Sequence, residues 1–188
     1  MERIQIKIAK VNILIESDSK IEPIRQDENY YRIVFKNFVF KDNNKIKPHI
    51  RLKLILAKKL PRFKKMIKLY EARHPIDNKI IWKAYKKDRG FVLEEHVRRY
   101  PFNRREHIVF LNKDYSYAKA YLLSRSSNPK KARWELGDII YGFLKIILVN
   151  YLAKNNGIFL HSAGIEVDKK GILFSGQSGA GKSTLTRF

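Results

Sequence analysis

A glycine-rich loop near the end of the sequence constrains the fold more than any other feature. Residues 176–184 read GQSGAGKST and satisfy the pattern G-x-x-x-x-G-K-[ST] in full. Such a loop wraps the phosphates of a nucleotide only when a β-strand precedes it and a helix follows it. The apolar run 172–175 predicts a buried strand, and residues 183–186 can begin a helix near Lys182.

The residue types in this loop match the chemistry of phosphate binding. Glycine tolerates positive φ and has no Cβ, so the backbone can approach phosphate oxygens closely. Successive N–H groups form an anion nest, Lys182 reaches the β- and γ-phosphates, and the Ser183 hydroxyl is a ligand for Mg²⁺. The predicted nucleotide-binding residues are Gly176, Gln177, Ser178, Gly179, Ala180, Gly181, Lys182, Ser183 and Thr184.

Composition excludes several classes of protein. The absence of cysteine from the 188 residues excludes disulfides, thiolate metal sites and cysteine nucleophiles. The most apolar stretch, residues 139–153, includes Lys145 and Asn150 and is too short to span a hydrocarbon core of about 30 Å. No signal peptide is recognised at the N-terminus. We therefore expect a soluble, cytoplasmic protein that does not insert into a membrane.

The net charge of +22 raises the question of a polyanionic partner. The stretch from Lys41 to Lys68 contains eleven basic residues and a single acidic residue, Asp42. A nucleic-acid interface would have this composition, but so would a lysine-rich surface that only faces solvent. Because no RNA- or DNA-binding motif is found, the sequence favours the solvent-facing interpretation and leaves polyanion binding as an alternative.

The part of the chain before the loop has the pattern of a β-rich region. Runs of alternating apolar residues predict strands, and their short spacing is typical of an antiparallel meander. In residues 50–56, for example, every second side chain is apolar. Residues 62–72, which lie between two prolines, predict a short helix. The segment 126–129 is the clearest break, and it divides the chain into a β-rich region, 1–128, and a nucleotide-binding region, 129–188.

The sequence around the loop resembles the HPr kinase/phosphorylase family, and most closely the HPr-kinase-like serine kinases. The resemblance depends on FLHSAGIEV at 159–167 and GILFSG at 171–176, with His161 fifteen positions before Gly176, and on WELGDIIYGF at 134–143. It implies a mixed, β-rich α/β fold: an antiparallel N-terminal sheet region joined to the start of a P-loop kinase core related to phosphoenolpyruvate carboxykinase. A helix is predicted from Asp138 to about Lys154, followed by strands at 158–160 and 165–167.

The resemblance also implies an activity. Members of the family transfer a phosphoryl group from ATP, with Mg²⁺, to a hydroxyl group. The hydroxyl is usually that of a serine, and the acceptor is a protein, a peptide or a small molecule. His161 and Lys182 would be the catalytic residues. Taken alone, a single histidine after an apolar strand is more often a hydrogen-bonded structural residue.

Members of this family continue past the loop with acidic residues that bind metal and act as the base, and no residue of this chain matches those motifs. Glu166 and Asp168 are expected to face solvent. We therefore expect the chain to be the N-terminal portion of such a kinase, with weak nucleotide binding and no turnover. A non-catalytic nucleotide-binding adaptor for a peptide or protein is the first alternative, and a basic polyanion-binding protein is the second. The sequence leaves open whether the chain forms a homo-oligomer.

Overall fold

The structure of the chain is a computed structural model. It describes residues 1–22, 38–40, 47–63, 66–74, 76–99, 103–123, 134–160, 162–177 and 179–185. These residues divide into two compact units, Met1–Tyr151 and Leu152–Phe188. The boundary predicted after residue 128 lies outside the described residues and stays a prediction.

Within the described ranges, the first unit is built on a sheet of nine strands, in the order β4-β1-β2-β5-β10-β9-β8-β7-β6. The strands are β1 (Glu2–Ile8), β2 (Val11–Ser17), β4 (Val39–Phe40), β5 (Ile50–Ala57), β6 (Ile67–Arg73), β7 (Ile80–Lys87), β8 (Gly90–Arg99), β9 (Asn103–Asn112) and β10 (Tyr117–Leu123). Two further short strands, β3 (Ile21–Glu22) and β11 (Trp134–Glu135), pair with each other in parallel. The prediction of a β-rich fold is confirmed.

The sheet is mixed, so the prediction of an antiparallel sheet is wrong at its centre. Neighbours in sequence, such as β8 and β9, pair antiparallel as expected. Strand β5, however, pairs in parallel with both of its neighbours, β2 and β10. Alternating apolar residues identify a strand but not its partner, and both partners of β5 lie in other parts of the chain.

The predicted helix at 62–72 is also wrong, because residues 67–73 form strand β6. This strand pairs antiparallel with β7, and the register shifts between Lys68 and Tyr70 and again between Ala72 and Arg73. Each irregularity changes which side chains share a face. The two-residue period that would have indicated a strand is therefore interrupted in the sequence.

One face of the sheet forms the core. Ile50, Leu52 and Leu54 of β5 are fully buried, and they alternate with the exposed Arg51 and Lys53. The register continues this apolar face into Ile13 and Ile15 of β2 and into Ala118 and Ala120 of β10, all of which are buried. The face predicted from the alternation in residues 50–56 is thus confirmed.

A kinked helical region lies against this core face. It begins with α1 (Leu136–Ile139), continues as a π-helical turn (Ile140–Leu144) and ends as α2 (Lys145–Lys154). The kink is at Gly142, whose φ of −86° and ψ of −124° are not helical. The π-helical turn contacts β8, and Phe143 is fully buried. The helix predicted for 138–154 is confirmed, with a start two residues earlier and an interruption at Gly142.

The second unit contains a two-stranded hairpin of β12 (Ser162–Val167) and β13 (Lys170–Ser175), followed by one helical turn, α3 (Lys182–Leu185). Residues 158–160 were predicted to form a strand, but they are not in one. The later predicted strand at 165–167 is confirmed as part of β12. Among the described helices, none has the length and apolar character needed to cross a membrane.

Candidate nucleotide-binding site

The glycine-rich loop follows directly from the β12–β13 hairpin. The strands are antiparallel, and Val167 opposite Lys170 closes a two-residue turn. The turn residues Asp168 and Lys169 have φ values of 51° and 61°. Two consecutive residues with positive φ match the right-handed twist of a tight hairpin. As predicted, Asp168 faces solvent, and so does Glu166 on the adjacent strand.

The strand that enters the loop forms where the sequence predicts it, but it is not buried. Leu173 of β13 is 63% exposed, and Ile172 beside it is also exposed. A two-stranded hairpin with a single helical turn offers few apolar surfaces on which to bury side chains. The prediction of a strand is confirmed, and the prediction of its burial is wrong for these residues.

Two glycines of the loop have positive φ, which residues with a side chain rarely adopt. Gly179 has a φ of 85° and Gly181 a φ of 73°. No atom lies within 4 Å of where a Cβ would stand at either position, so the backbone is open on that side. Gly176 differs, because its φ is not positive and a Cβ there would lie 3.7 Å from the Cβ of Ala180, an ordinary contact. Backbone conformation therefore favours glycine at 179 and 181 but not at 176.

The side chain of Lys182 folds back over the loop. Its Nζ donates hydrogen bonds to the carbonyl oxygens of Gly176, at 2.9 Å, and of Gln177, at 2.7 Å. These contacts reach five and six residues back along the chain, so the ammonium lies at the start of the loop although Lys182 begins α3. The positive charge is thereby held beside the backbone that the motif assigns to the phosphates.

Backbone hydrogen bonds fix the two ends of the loop. The N–H of Ala180 donates to the carbonyl of Gln177 at 3.3 Å. The N–H groups of Thr184 and Leu185 both donate to the carbonyl of Gly181 at 3.0 Å. The helix therefore starts at the position that the motif predicts, and both Ser183 and Thr184 are exposed.

Two of the predicted site residues, His161 and Ser178, lie outside the described residues. Their placement beside the transferred phosphoryl group and in the loop therefore stays a prediction. The other predicted residues of the loop belong to one continuous segment of the second unit, 176–185. Among the described residues, no group of three or more His, Asp or Glu side chains is arranged to hold a metal ion.

No pattern in the sequence indicates that His107 has a buried acidic partner. Its Nδ1 lies 2.9 Å from Oε2 of Glu95, and both residues are buried. The imidazole stacks on the indole of Trp134, with centroids 5.6 Å apart, and meets the ring of Phe143 edge-on at 5.4 Å. The pair exists only because the β8–β9 register places Glu95 opposite His107, and no local pattern of residues reports that register.

Comparison of the chain with protein-family models, with curated proteins and with solved structures found no match. The resemblance to HPr-kinase-like proteins therefore stays a prediction from the residues that carry it. The chemistry of the site depends on the geometry of the loop.

Proposed function

We propose that the loop at 176–184 binds the phosphates of ATP with Mg²⁺, and that it is the phosphate site of an HPr-kinase-like serine kinase. Such an enzyme transfers the γ-phosphoryl group to a hydroxyl of a protein, a peptide or a small molecule. The observation that carries the proposal is the position of Lys182, whose ammonium contacts the carbonyls of Gly176 and Gln177. A charge held there is in reach of an anion that enters the loop.

The loop residues fit the ligand chemically. A triphosphate presents several anionic oxygens, which favour a cation and backbone N–H donors that can approach closely. The open space beside Gly179 and Gly181 permits that approach. Mg²⁺ is usually held by phosphate oxygens together with one or two oxygen ligands from the protein, and the exposed hydroxyl of Ser183 is the ligand that we assign to it.

The residues of this chain would bind and orient the nucleotide. When bound, ATP supplies the phosphoryl group, and Lys182 offsets the negative charge of its phosphates. To do so, Nζ must exchange its two contacts with the loop carbonyls for contacts with phosphate oxygens. His161 is the residue that the family resemblance assigns to the transferred group.

Titration calorimetry of the full chain with Mg-ATP tests the binding step. Lys182→Ala should weaken binding by about tenfold or more, because a charge-assisted contact is lost. Lys169→Ala is the matched control, since it removes an exposed lysine of the neighbouring hairpin turn. Ser183→Ala should reduce the dependence of affinity on Mg²⁺. Equal affinity of the Lys182→Ala variant and the parent would contradict the proposal.

The transfer step needs a separate assay, with ATP labelled at the γ-phosphate and a set of hydroxyl-bearing acceptors. Any phosphorylation by the chain should disappear in Lys182→Ala and persist in Lys169→Ala. Steady phosphorylation that survives Lys182→Ala would contradict the kinase assignment, whatever the result for nucleotide binding.

A further inference from the structure

The face of the nine-stranded sheet opposite the core carries a row of basic side chains at its centre. The parallel register of β5 and β10 places Arg51 opposite Tyr117 and Lys53 opposite Lys119. Residues opposite each other in a ladder lie on the same face. Arg51, Lys53 and Tyr117 are exposed, and Tyr117 retains 40% of its accessible surface. We call the set Arg51, Lys53, Phe110, Tyr117, Lys119 and Tyr121 the basic face.

Aromatic rings lie between these cations. Phe110 of β9 is opposite Lys119, and its ring meets that of Tyr121 edge-on with centroids 5.9 Å apart. The ammonium of Lys119 lies 5.4 Å from the centroid of Tyr121, and that of Lys87 lies 5.5 Å from the centroid of Phe110. A hydrogen bond with Tyr121 raises the pKa of Lys119, so this side chain stays charged in neutral solution. Along β10, Lys119 therefore lies between Tyr117 and Tyr121, and Phe110 of β9 lies beside it.

Among the described residues, the basic face carries more cations than the carboxylate beside it can neutralise. Lys53 and Lys119 lie directly opposite each other, and like charges in that position destabilise a sheet. Glu16, which the register places beside Lys53, contacts Arg3 at 3.1 Å and Arg51 at 3.8 Å. One carboxylate shared by two arginines leaves an excess of positive charge on the basic face, which favours a polyanionic ligand.

We propose that the basic face binds single-stranded nucleic acid. The lysines and Arg51 would contact backbone phosphates, and the rings of Tyr117 and Tyr121 would stack on bases. A single strand fits better than a duplex, whose bases are already stacked on one another. It also fits better than an anionic membrane, because the rings lie among the cations instead of forming a separate apolar edge for insertion. The basic face belongs to the first unit, and the proposal is independent of the nucleotide loop.

Fluorescence anisotropy with a labelled oligothymidylate of about 16 nucleotides tests the proposal in the full chain. Affinity is measured from about 50 to 200 mM salt for the parent and for the pair Lys53→Ala/Lys119→Ala. Loss of two phosphate contacts should reduce the log–log salt slope by about 1.4. The matched pair Lys10→Ala/Lys86→Ala removes two exposed lysines outside the basic face and should keep the parent's slope. The proposal is wrong if the two pairs behave alike.

A second variant separates stacking from charge. Tyr117→Leu should weaken binding of the oligothymidylate by about tenfold with no change in salt slope, and should not affect binding of a duplex of equal length. Binding to phosphatidylserine vesicles but not to the oligonucleotide would overturn the proposal, and so would a Tyr117→Leu variant that binds like the parent. Lys182→Ala should bind the oligonucleotide like the parent, so a failure of the ATP site would not affect this result.

Discussion

The two faces of the large sheet each carry a histidine beside a glutamate, and the pairs differ mainly in burial. On the core face, His107 and Glu95 lie 2.9 Å apart with 0% and 7% of their side chains exposed. On the opposite face, His96 and Glu94 lie 3.4 Å apart with 14% and 27% exposed. Three of these four residues belong to β8. Because both pairs consist of a histidine and a glutamate, the surroundings of each pair decide what it contributes to stability.

On the core face, aromatic rings replace water around the imidazole. Trp134 and Phe143 contact His107, and the backbone at Gly142 closes over Glu95, so neither group can recover hydration if its partner is removed. On the opposite face, water reaches both members of the pair and screens their attraction. We conclude that the core-face pair helps to fix the packing of the helical region, whereas the other pair contributes little.

Removal of one member of each pair tests this comparison most strongly. His107→Ala should lower the free energy of unfolding by about 3–5 kcal/mol, because it leaves Glu95 buried without its partner. His96→Ala, the matched control, should cost no more than about 1 kcal/mol. Urea denaturation at neutral pH measures both. Equal losses would show that burial does not distinguish the pairs.

A methyl group added beside Glu95 should have the next largest effect. A Cβ at Gly142 would lie 2.8 Å from Oε1 of Glu95, whose carboxylate is held by His107. Gly142→Ala should therefore cost about 1–3 kcal/mol, since the contact forces the carboxylate or the kink to move.

Thermal denaturation of this variant measures the change. Gly171→Ala is the control, because no atom lies within 4 Å of a Cβ at that position. It should leave stability within about 0.5 kcal/mol of the parent. If both alanine variants unfold like the parent, the packing of Gly142 on Glu95 does not constrain the core face.

The smallest effect concerns the opposite face at alkaline pH. Burial, together with a hydrogen bond from the hydroxyl of Tyr85 to Glu94 at 3.0 Å, raises the pKa of Tyr85 to about 12. Below pH 10 the phenol is protonated in the folded and unfolded states alike. Between pH 10 and 12 only the unfolded chain releases the proton, so the parent loses stability there. The Tyr85→Phe variant has no phenol proton to release, so it does not lose this stability between pH 10 and 12.

The measurable quantity is the difference in unfolding free energy between the parent and Tyr85→Phe. Because water partly screens Tyr85, this difference should change in favour of the variant by only about 1 kcal/mol as the pH rises from 10 to 12. Urea titrations at intervals of pH determine it. A difference that stays constant would mean that the surroundings of Tyr85 do not favour its neutral form.

The fold could be predicted where it depends on neighbouring residues. Alternation in residues 50–56 identified β5 and its buried face, and the long apolar run at 139–153 identified most of α2. The sequence did not predict the parallel partners of β5, because those contacts join distant parts of the chain. The sequence predicts a helix at 62–72, where residues 67–73 form β6. Two irregularities in the pairing with β7 interrupt the alternation that marks a strand.

In the candidate site, too, features that depend on neighbouring residues could be predicted, and contacts between more distant residues could not. The start of α3 at Lys182 and the positive φ of Gly179 and Gly181 are properties of one short segment, so a motif can specify them. The contacts of Lys182 Nζ with two loop carbonyls could not be read from the motif. The His107–Glu95 pair was also not predicted, because it needs the register of β8 and β9.

The two parallel neighbours of β5 have a consequence for how the sheet forms. Strands β1 and β2 are joined by a tight turn, and β6 to β10 follow one another along the chain, so both groups assemble from local contacts. Strand β5 joins the two groups through pairings distant in sequence, which raise the relative contact order of the domain. Because such contacts close large loops before they stabilise anything, we expect their formation to limit the folding rate.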